Sequence, residues 1–205
     1  MVKIIDVLFV RFATLFALLV ASNVEASPKM KRRNETYPVS GSSLQELQQM
    51  INRHGPINND DGKRYDGITE WSLTWDYQLK QRGKVWIVAN RNVQLNLKVI
   101  TPRWTDFQNT PGVIRTQWRI YQANLLRHEE GHVRIALRAA QAIDKYLGVC
   151  GASSSLNKLK SDIQRKTNAL LKQYRKIDQN FLQRFVPPKF PYYTAKTVQK
   201  FLRRF

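Results

Sequence analysis

The stretch TQWRIYQANLLRHEEGHVRIALRAAQAIDKYL, from Thr116 to Leu147, decides the fold because its apolar residues recur at alternating steps of three and four. That spacing is typical of a long amphipathic α-helix with one face against a core. The members of this face are Trp118, Tyr121, Leu125, His128, His132, Ile135, Ala139 and Ile143. Two of the three histidines in the chain are therefore predicted to lie on the buried face.

His128, Glu129 and His132 form the pattern H-E-x-x-H on this helix. Histidines at positions i and i+4 lie one turn apart, so both imidazoles can reach a single metal ion, with Glu129 beside them. A Zn²⁺ ion held by imidazoles keeps an open position for a water whose pKa falls to about 7. Glu129 can accept a proton from that water and pass it to a leaving amine. The pattern predicts His128 and His132 as zinc ligands and Glu129 as the catalytic residue.

A second helix is predicted after the turn at 148–154, from Ser155 to about Phe185. An antiparallel hairpin that pivots near Gly151 would place His132 opposite about Leu170 and His128 opposite about Tyr174. The two helices should therefore pack along their apolar faces, with the metal site between them.

Zinc usually takes a third protein ligand, and the helical hairpin offers one candidate. Asp178 would lie about one turn beyond the level of His128, at 1.5 Å per residue. Asp178 is the predicted third ligand, with a plain surface carboxylate as the alternative interpretation. His54, the remaining histidine, is the other candidate from outside the hairpin.

The N-terminal half predicts a short helix followed by a sheet. Ser43-Leu44-Gln45-Glu46 is a capping box that would open a helix reaching about Arg53. Alternating apolar and polar residues then predict three strands in an antiparallel meander, at Trp71–Leu79, Val85–Ala89 and Val93–Val99. The predicted fold class is α+β: a short N-terminal helix, this three-stranded meander, and the long H-E-x-x-H helix in a hairpin with a C-terminal helix.

Residues 1–26 have the layout of an export signal. A short apolar run follows basic residues, and Val24-Glu25-Ala26 offers small residues where a signal peptidase reads. We expect cleavage after Ala26 and a periplasmic or secreted protein, with an uncleaved N-terminal anchor as the alternative. The remaining divisions are a disordered leader over 27–36, a metallohydrolase domain over 37–186 and a basic, aromatic tail over 187–205.

Positive charge is concentrated at the C-terminal end. Residues 151–205 carry thirteen basic and two acidic side chains, a difference of +11 out of a net charge of +19 for the chain. Such a cluster can attract an anionic envelope polymer or a lipid surface, and a merely solvated basic face is the alternative. Nucleic acid is excluded as a partner by the export signal.

The ordered set of features resembles a bacterial family of predicted secreted zinc-dependent proteases, catalogued as a domain of unknown function. The resemblance covers about residues 37 to 184. Its elements are the run from Tyr37 through the strands, the Pro102-Arg103-Trp104 stop, Trp118 and Tyr121 before HEEGH, and the Ala-rich helix after it. The resemblance implies a zincin-like fold in which His128 and His132 bind Zn²⁺ and Glu129 acts as acid and base.

The chain departs from that family at the end of the second helix. There the family has Tyr-Asp-x-x-Thr-x-His-Gly, whose histidine is a natural third ligand. This chain keeps Asp178 but has Phe181, Gln183 and Arg184 in place of the threonine, the histidine and the glycine. Glutamine is a poor zinc ligand compared with imidazole. This difference keeps two functions open.

The first function is a secreted or periplasmic zinc-dependent peptidase in which Glu129 is the general base. The second is a non-catalytic envelope protein that keeps the zincin-like scaffold and binds anionic polymers or a partner through its basic C-terminal third. Hydrolysis of another amide bond, such as one in the cell wall, would use the same residues as the peptidase.

Overall fold

The computed structural model describes residues 27–59 and 61–184, apart from the side chains of 182–184. The predicted export signal at 1–26 and the basic tail at 187–205 lie outside the described residues. The elements in chain order are β1 (Lys29–Val39), α1 (Leu44–His54), β2 (Ile68–Arg82), β3 (Val85–Trp104), a 3₁₀ turn (Phe107–Asn109), α2 (Gly112–Val149) and α3 (Leu156–Arg184). The fold class is α+β, with a three-stranded mixed sheet and three α-helices in these ranges.

The sheet has the order β1-β3-β2, with β2 antiparallel and β1 parallel to β3. The predicted antiparallel meander is thus replaced by a mixed sheet, because the second and third predicted strands are one continuous strand, β3. Asn90 and Asn92, predicted as a turn, instead donate hydrogen bonds across the ladder to Gln78 and Asp76, at 2.7 and 2.8 Å. In a turn, asparagine side chains hydrogen-bond to nearby backbone groups. In this sheet, they hydrogen-bond to polar side chains on the neighbouring strand instead.

Strand β1 occupies the stretch that was predicted to be a disordered leader. Its residues pair in register with β3, from Lys29 with Gln94 to Val39 with Trp104. Charged side chains are tolerated because β1 is an edge strand, which is held mainly by main-chain hydrogen bonds. Arg32 also pairs with Glu130 of α2, at 2.9 Å. The prediction of disorder over 27–36 is therefore wrong for β1, because contacts with distant elements order this strand.

Helix α2 packs across one face of the sheet and divides the core into two clusters. The C-terminal half of α2 contacts the sheet and α3, through residues such as Leu95, Ala136 and Ile163. The N-terminal half contacts α1 and the ends of β1 and β3, through residues such as Ile51 and Trp118. The H-E-x-x-H segment lies between these clusters, where α2 passes the first residues of β2.

The short helix α1 begins as its capping box predicts. Ser43 Oγ accepts a hydrogen bond from the backbone N–H of Glu46 at 3.2 Å, and the Glu46 carboxylate accepts one from the N–H of Ser42 at 2.8 Å. These bonds satisfy donors that a helix start leaves unpaired. The helix then buries Leu47 and Ile51.

Helices α2 and α3 form the predicted antiparallel hairpin, but in a different register. His132 lies beside Asp178 and His128 beside Phe181, rather than near Leu170 and Tyr174. The turn lies only one or two residues later than predicted, since α2 ends at Val149 and α3 begins at Leu156, so the positions of the helix ends alone do not account for the difference in register. Among the described residues, no helix is both long and apolar enough to cross a bilayer.

Candidate metal centre

The three residues of the H-E-x-x-H pattern are buried at the junction of α2, α3 and β2. The exposed fractions of His128, Glu129 and His132 are 8, 2 and 7 per cent. Polar side chains this deeply buried need partners, since an unsatisfied one costs about 1–3 kcal/mol. Their partners therefore indicate what the site is built to do.

The two imidazoles converge through the nitrogens that a metal would use. His128 Nε2 and His132 Nε2 lie 3.3 Å apart. Two nitrogens bound at about 2.0–2.1 Å to one tetrahedral Zn²⁺ ion are about 3.3–3.4 Å apart by simple trigonometry. The distance between the two nitrogens is therefore the one that a shared zinc ion requires.

Asp178 contacts the opposite nitrogen of His132. Its Oδ1 lies 2.6 Å from His132 Nδ1, and its Oδ2 accepts a hydrogen bond from Trp71 Nε1 at 2.8 Å. A carboxylate at this position favours the tautomer of His132 that carries its proton on Nδ1, and in that tautomer Nε2 has the lone pair that can bind a metal ion. Asp178 therefore orients the His132 ring, as the partners of metal-binding histidines commonly do.

This placement differs from the predicted role of Asp178 as the third ligand. Both of its oxygens are engaged, and the carboxylate lies on the far side of the His132 ring from Nε2. Within the described residues, no group of three or more His, Cys, Asp or Glu side chains is arranged to hold a metal ion. His54, the other candidate, is exposed at the end of α1.

Trp71 is itself held in place from α3. The Arg175 guanidinium lies over the indole ring, 3.9 Å from its centroid, and donates a hydrogen bond to the Trp71 carbonyl at 3.0 Å. Stacking and hydrogen bonding together restrict the indole. A continuous set of contacts thus runs from Arg175 through Trp71 and Asp178 to His132.

Glu129 is oriented by the start of β2. Thr69 Oγ1 donates a hydrogen bond to Glu129 Oε2 at 2.7 Å. The chain just before β2 comes close to this carboxylate: a Cβ on Gly67 would lie 3.1 Å from Glu129 Oε1, tighter than an ordinary contact, so a side chain there would press on the carboxylate. Burial raises the pKa of Glu129, which makes its carboxylate a stronger base than an exposed one.

A small cavity of about 70 Å³ lies beside this carboxylate, and its lining includes Thr69, Glu129, His132 and Asp178. A water molecule takes about 30 Å³ in the liquid and needs two to four polar partners. The cavity meets both requirements, so a water can sit within reach of the base.

The pKa of His128 is lowered to about 4, mainly by burial and secondly by the neighbouring His132. A lowered pKa keeps the imidazole neutral at ordinary pH. The neutral form is the one that binds a metal ion.

Phe181 packs directly on the two histidines. Its ring is stacked on His128 with centroids 5.2 Å apart and meets His132 edge-on at 5.0 Å. Gly131 makes room for it, because a Cβ there would lie 2.2 Å from the Phe181 ring. The position where the resembled family has threonine thus carries an aromatic support for both imidazoles.

The sequence pattern located the core of the site but missed its supporting residues. Thr69, Trp71 and Phe181 were not predicted to act there. The burial of Trp71 could be predicted from its alternation with polar neighbours. No pattern in the sequence indicates that its indole N–H donates to Asp178, which lies 107 residues further along the chain. Glu130, the next residue after the candidate base, points away from the site and pairs with Arg32.

Comparison with known proteins gives a family and no closer relative. No curated protein and no solved structure matches this chain significantly. The model of one family, described as "Bacterial protein of unknown function (DUF922)", matches residues 34–184, a range that contains both strands and helices of the site. By that match, which spans well over half of its length, the chain belongs to the DUF922 family of bacterial proteins.

Proposed function

We propose that the protein is a zinc-dependent hydrolase of peptide bonds that acts in the periplasm or as a secreted protein. The observation that carries the proposal is the 3.3 Å approach of His128 Nε2 to His132 Nε2, with Glu129 on the same turn of α2. Paired imidazoles and an adjacent unliganded carboxylate are what metal-assisted hydrolysis requires.

His128 and His132 would hold the zinc ion through Nε2. Zinc bound there would supply a Lewis acid and lower the pKa of a water to about 7. Glu129 would take the proton from the attacking water and deliver it to the leaving amine, aided by the pKa that burial has raised. Thr69 would keep the carboxylate aimed at that water, since its hydroxyl fixes one of the two oxygens.

Substrate alignment is proposed at β2. This strand lies at an edge of the sheet, and Thr69 connects it directly to Glu129. An extended peptide that adds to a sheet edge gains main-chain hydrogen bonds regardless of its sequence. The peptide would then pass the buried carboxylate in an extended conformation.

The proposal is tested with the chain from Ser27, loaded with zinc and incubated with unfolded β-casein. We expect cleavage that stops on treatment with 1,10-phenanthroline and resumes when zinc, but not magnesium, is added back. Imidazole sites favour zinc over the hard, oxygen-preferring Mg²⁺ ion. Absence of cleavage at every zinc concentration would contradict the peptidase, and release of amines from cell-wall fragments instead would assign the same chemistry to a wall amide.

A second function is supported by one specific observation. Asp178 is already engaged by His132 and Trp71, and Gln183 stands where the resembled family has histidine, so the third ligand is in question. A non-catalytic envelope protein would need only the scaffold and the basic C-terminal third. That alternative requires that removal of 187–205 abolish binding to anionic vesicles and that substitution of Glu129 change nothing.

A further inference from the structure

A concavity of about 390 Å³ lies between α2 and α3, with Phe181 as part of its wall. Gly131 and Ile135 line it from α2, and Ile177 lines it from α3. Its volume falls within the range of about 300–1,000 Å³ that is usual for ligand sites. Ile177, which is 40 per cent exposed, contributes apolar surface to this concavity.

The rim of this groove is positively charged. Arg134 and Arg138 both line it and are both exposed, and they are separated by one turn of α2, or about 6 Å along the axis. Neither arginine has an ion-pair partner in the part of the chain that the structure describes. The described lining contains no carboxylate, whereas three other concavities each include at least one.

The chemistry of the lining points to the class of ligand. Guanidinium groups bind carboxylates through paired, charge-assisted hydrogen bonds, and the isoleucine and phenylalanine side chains favour an apolar neighbour. Asn180 adds an amide, which can both donate to and accept from a peptide group. We propose that this groove, defined by Arg134, Arg138, Ile177, Asn180 and Phe181, binds a peptide segment in which acidic and aliphatic residues alternate.

The groove adjoins the candidate metal centre through Phe181, whose ring stacks on His128. Binding of the peptide does not depend on hydrolysis. Only the further step, that the bound segment is a substrate, rests on the proposed function. In a hydrolase, the groove would favour cleavage next to acidic residues.

The test uses the chain from Ser27 carrying Glu129→Gln, so that no peptide is consumed. Two fluorescent, end-blocked hexapeptides are compared, one alternating glutamate with leucine and the other alternating glutamine with leucine. Binding is measured by fluorescence anisotropy, with and without Arg134→Gln and Arg138→Gln. The matched control, Lys160→Gln with Lys166→Gln, removes the same charge from exposed positions of α3 outside the groove.

We expect the glutamate peptide to bind about tenfold or more weakly to the double arginine variant, because two charge-assisted contacts are lost. The control should stay within about twofold, as screened charges outside the contact contribute little. Equal losses in both variants would overturn the inference in favour of general charge attraction. Arginine-dependent binding to phosphatidylglycerol vesicles without peptide binding would overturn it in favour of lipid.

Failure of this inference and failure of the proposed function are separable. Arginine-dependent peptide binding by a chain that holds no zinc would support the groove and contradict the hydrolase. Zinc-dependent cleavage by a chain that shows no arginine-dependent binding of the glutamate peptide would contradict the groove alone.

Discussion

Replacing Glu129 with glutamine should lower kcat for zinc-dependent cleavage of β-casein by about 10²–10⁴-fold, the usual contribution of general acid–base catalysis. Glutamine has nearly the same shape and its carbonyl can still accept the hydrogen bond that Thr69 donates at 2.7 Å. It cannot take a proton from water. Fold and zinc content should therefore remain unchanged while turnover is lost, as measured by initial rates and metal content on one preparation.

The matched control is Glu130→Gln, which removes the neighbouring carboxylate on the same turn. Glu130 pairs with Arg32 at the surface, with 41 per cent of its side chain exposed, and an exposed pair contributes only about 0–1 kcal/mol. Its loss should leave kcat within about twofold, since it does not reach the site. Equal and undiminished activity of the two variants would show that Glu129 is not the general base.

Replacing Asp178 with asparagine should weaken zinc binding by about 10–100-fold, the usual effect of removing a carboxylate that orients a histidine ligand. The asparagine amide can still accept a bond from His132 Nδ1, but it no longer stabilises the donor by charge. Zinc stoichiometry at saturation should stay at that of the unaltered chain. Competition with a chromophoric chelator measures the change in affinity.

Asp162→Asn is the control for this experiment. Asp162 lies on the same helix and pairs with Lys158 and Arg165 at the surface. Its substitution should leave zinc affinity unchanged. If Asp178→Asn instead abolished stoichiometric zinc, Asp178 would be a direct ligand; if zinc affinity did not change, the contact with His132 would have no role in the site.

The long helix and the two histidines could be predicted because their signal is local and repeated. The apolar face of α2 recurs over many turns, so the burial of His128 and His132 follows from the 3.6-residue period alone. The same logic predicted that Trp71 would face the core, as it does. Periodicity specifies which side of an element is buried, and it specifies this well.

The hairpin register, strand β1 and the contact of Thr69 with Glu129 could not be predicted, because each depends on contacts between elements that are distant in the sequence. The register of the α2–α3 hairpin depends on how the side chains of the two helices pack, which their end points do not specify. An error of two turns placed Asp178 beyond the level of His128 instead of at the level of His132. Strand β1 has almost no apolar pattern and is ordered by pairing with β3. Thr69 reaches Glu129 only because β2 crosses α2 at that point.

The most direct test of the account is the zinc content of the purified chain from Ser27, measured by elemental mass spectrometry after zinc loading and desalting. We expect about one zinc ion per chain, as one site built from His128 and His132 requires. His128→Ala should lose this zinc, because it removes one of the two converging nitrogens. No stoichiometric zinc in the unaltered chain, or undiminished zinc in the variant, would contradict the metal centre proposed here.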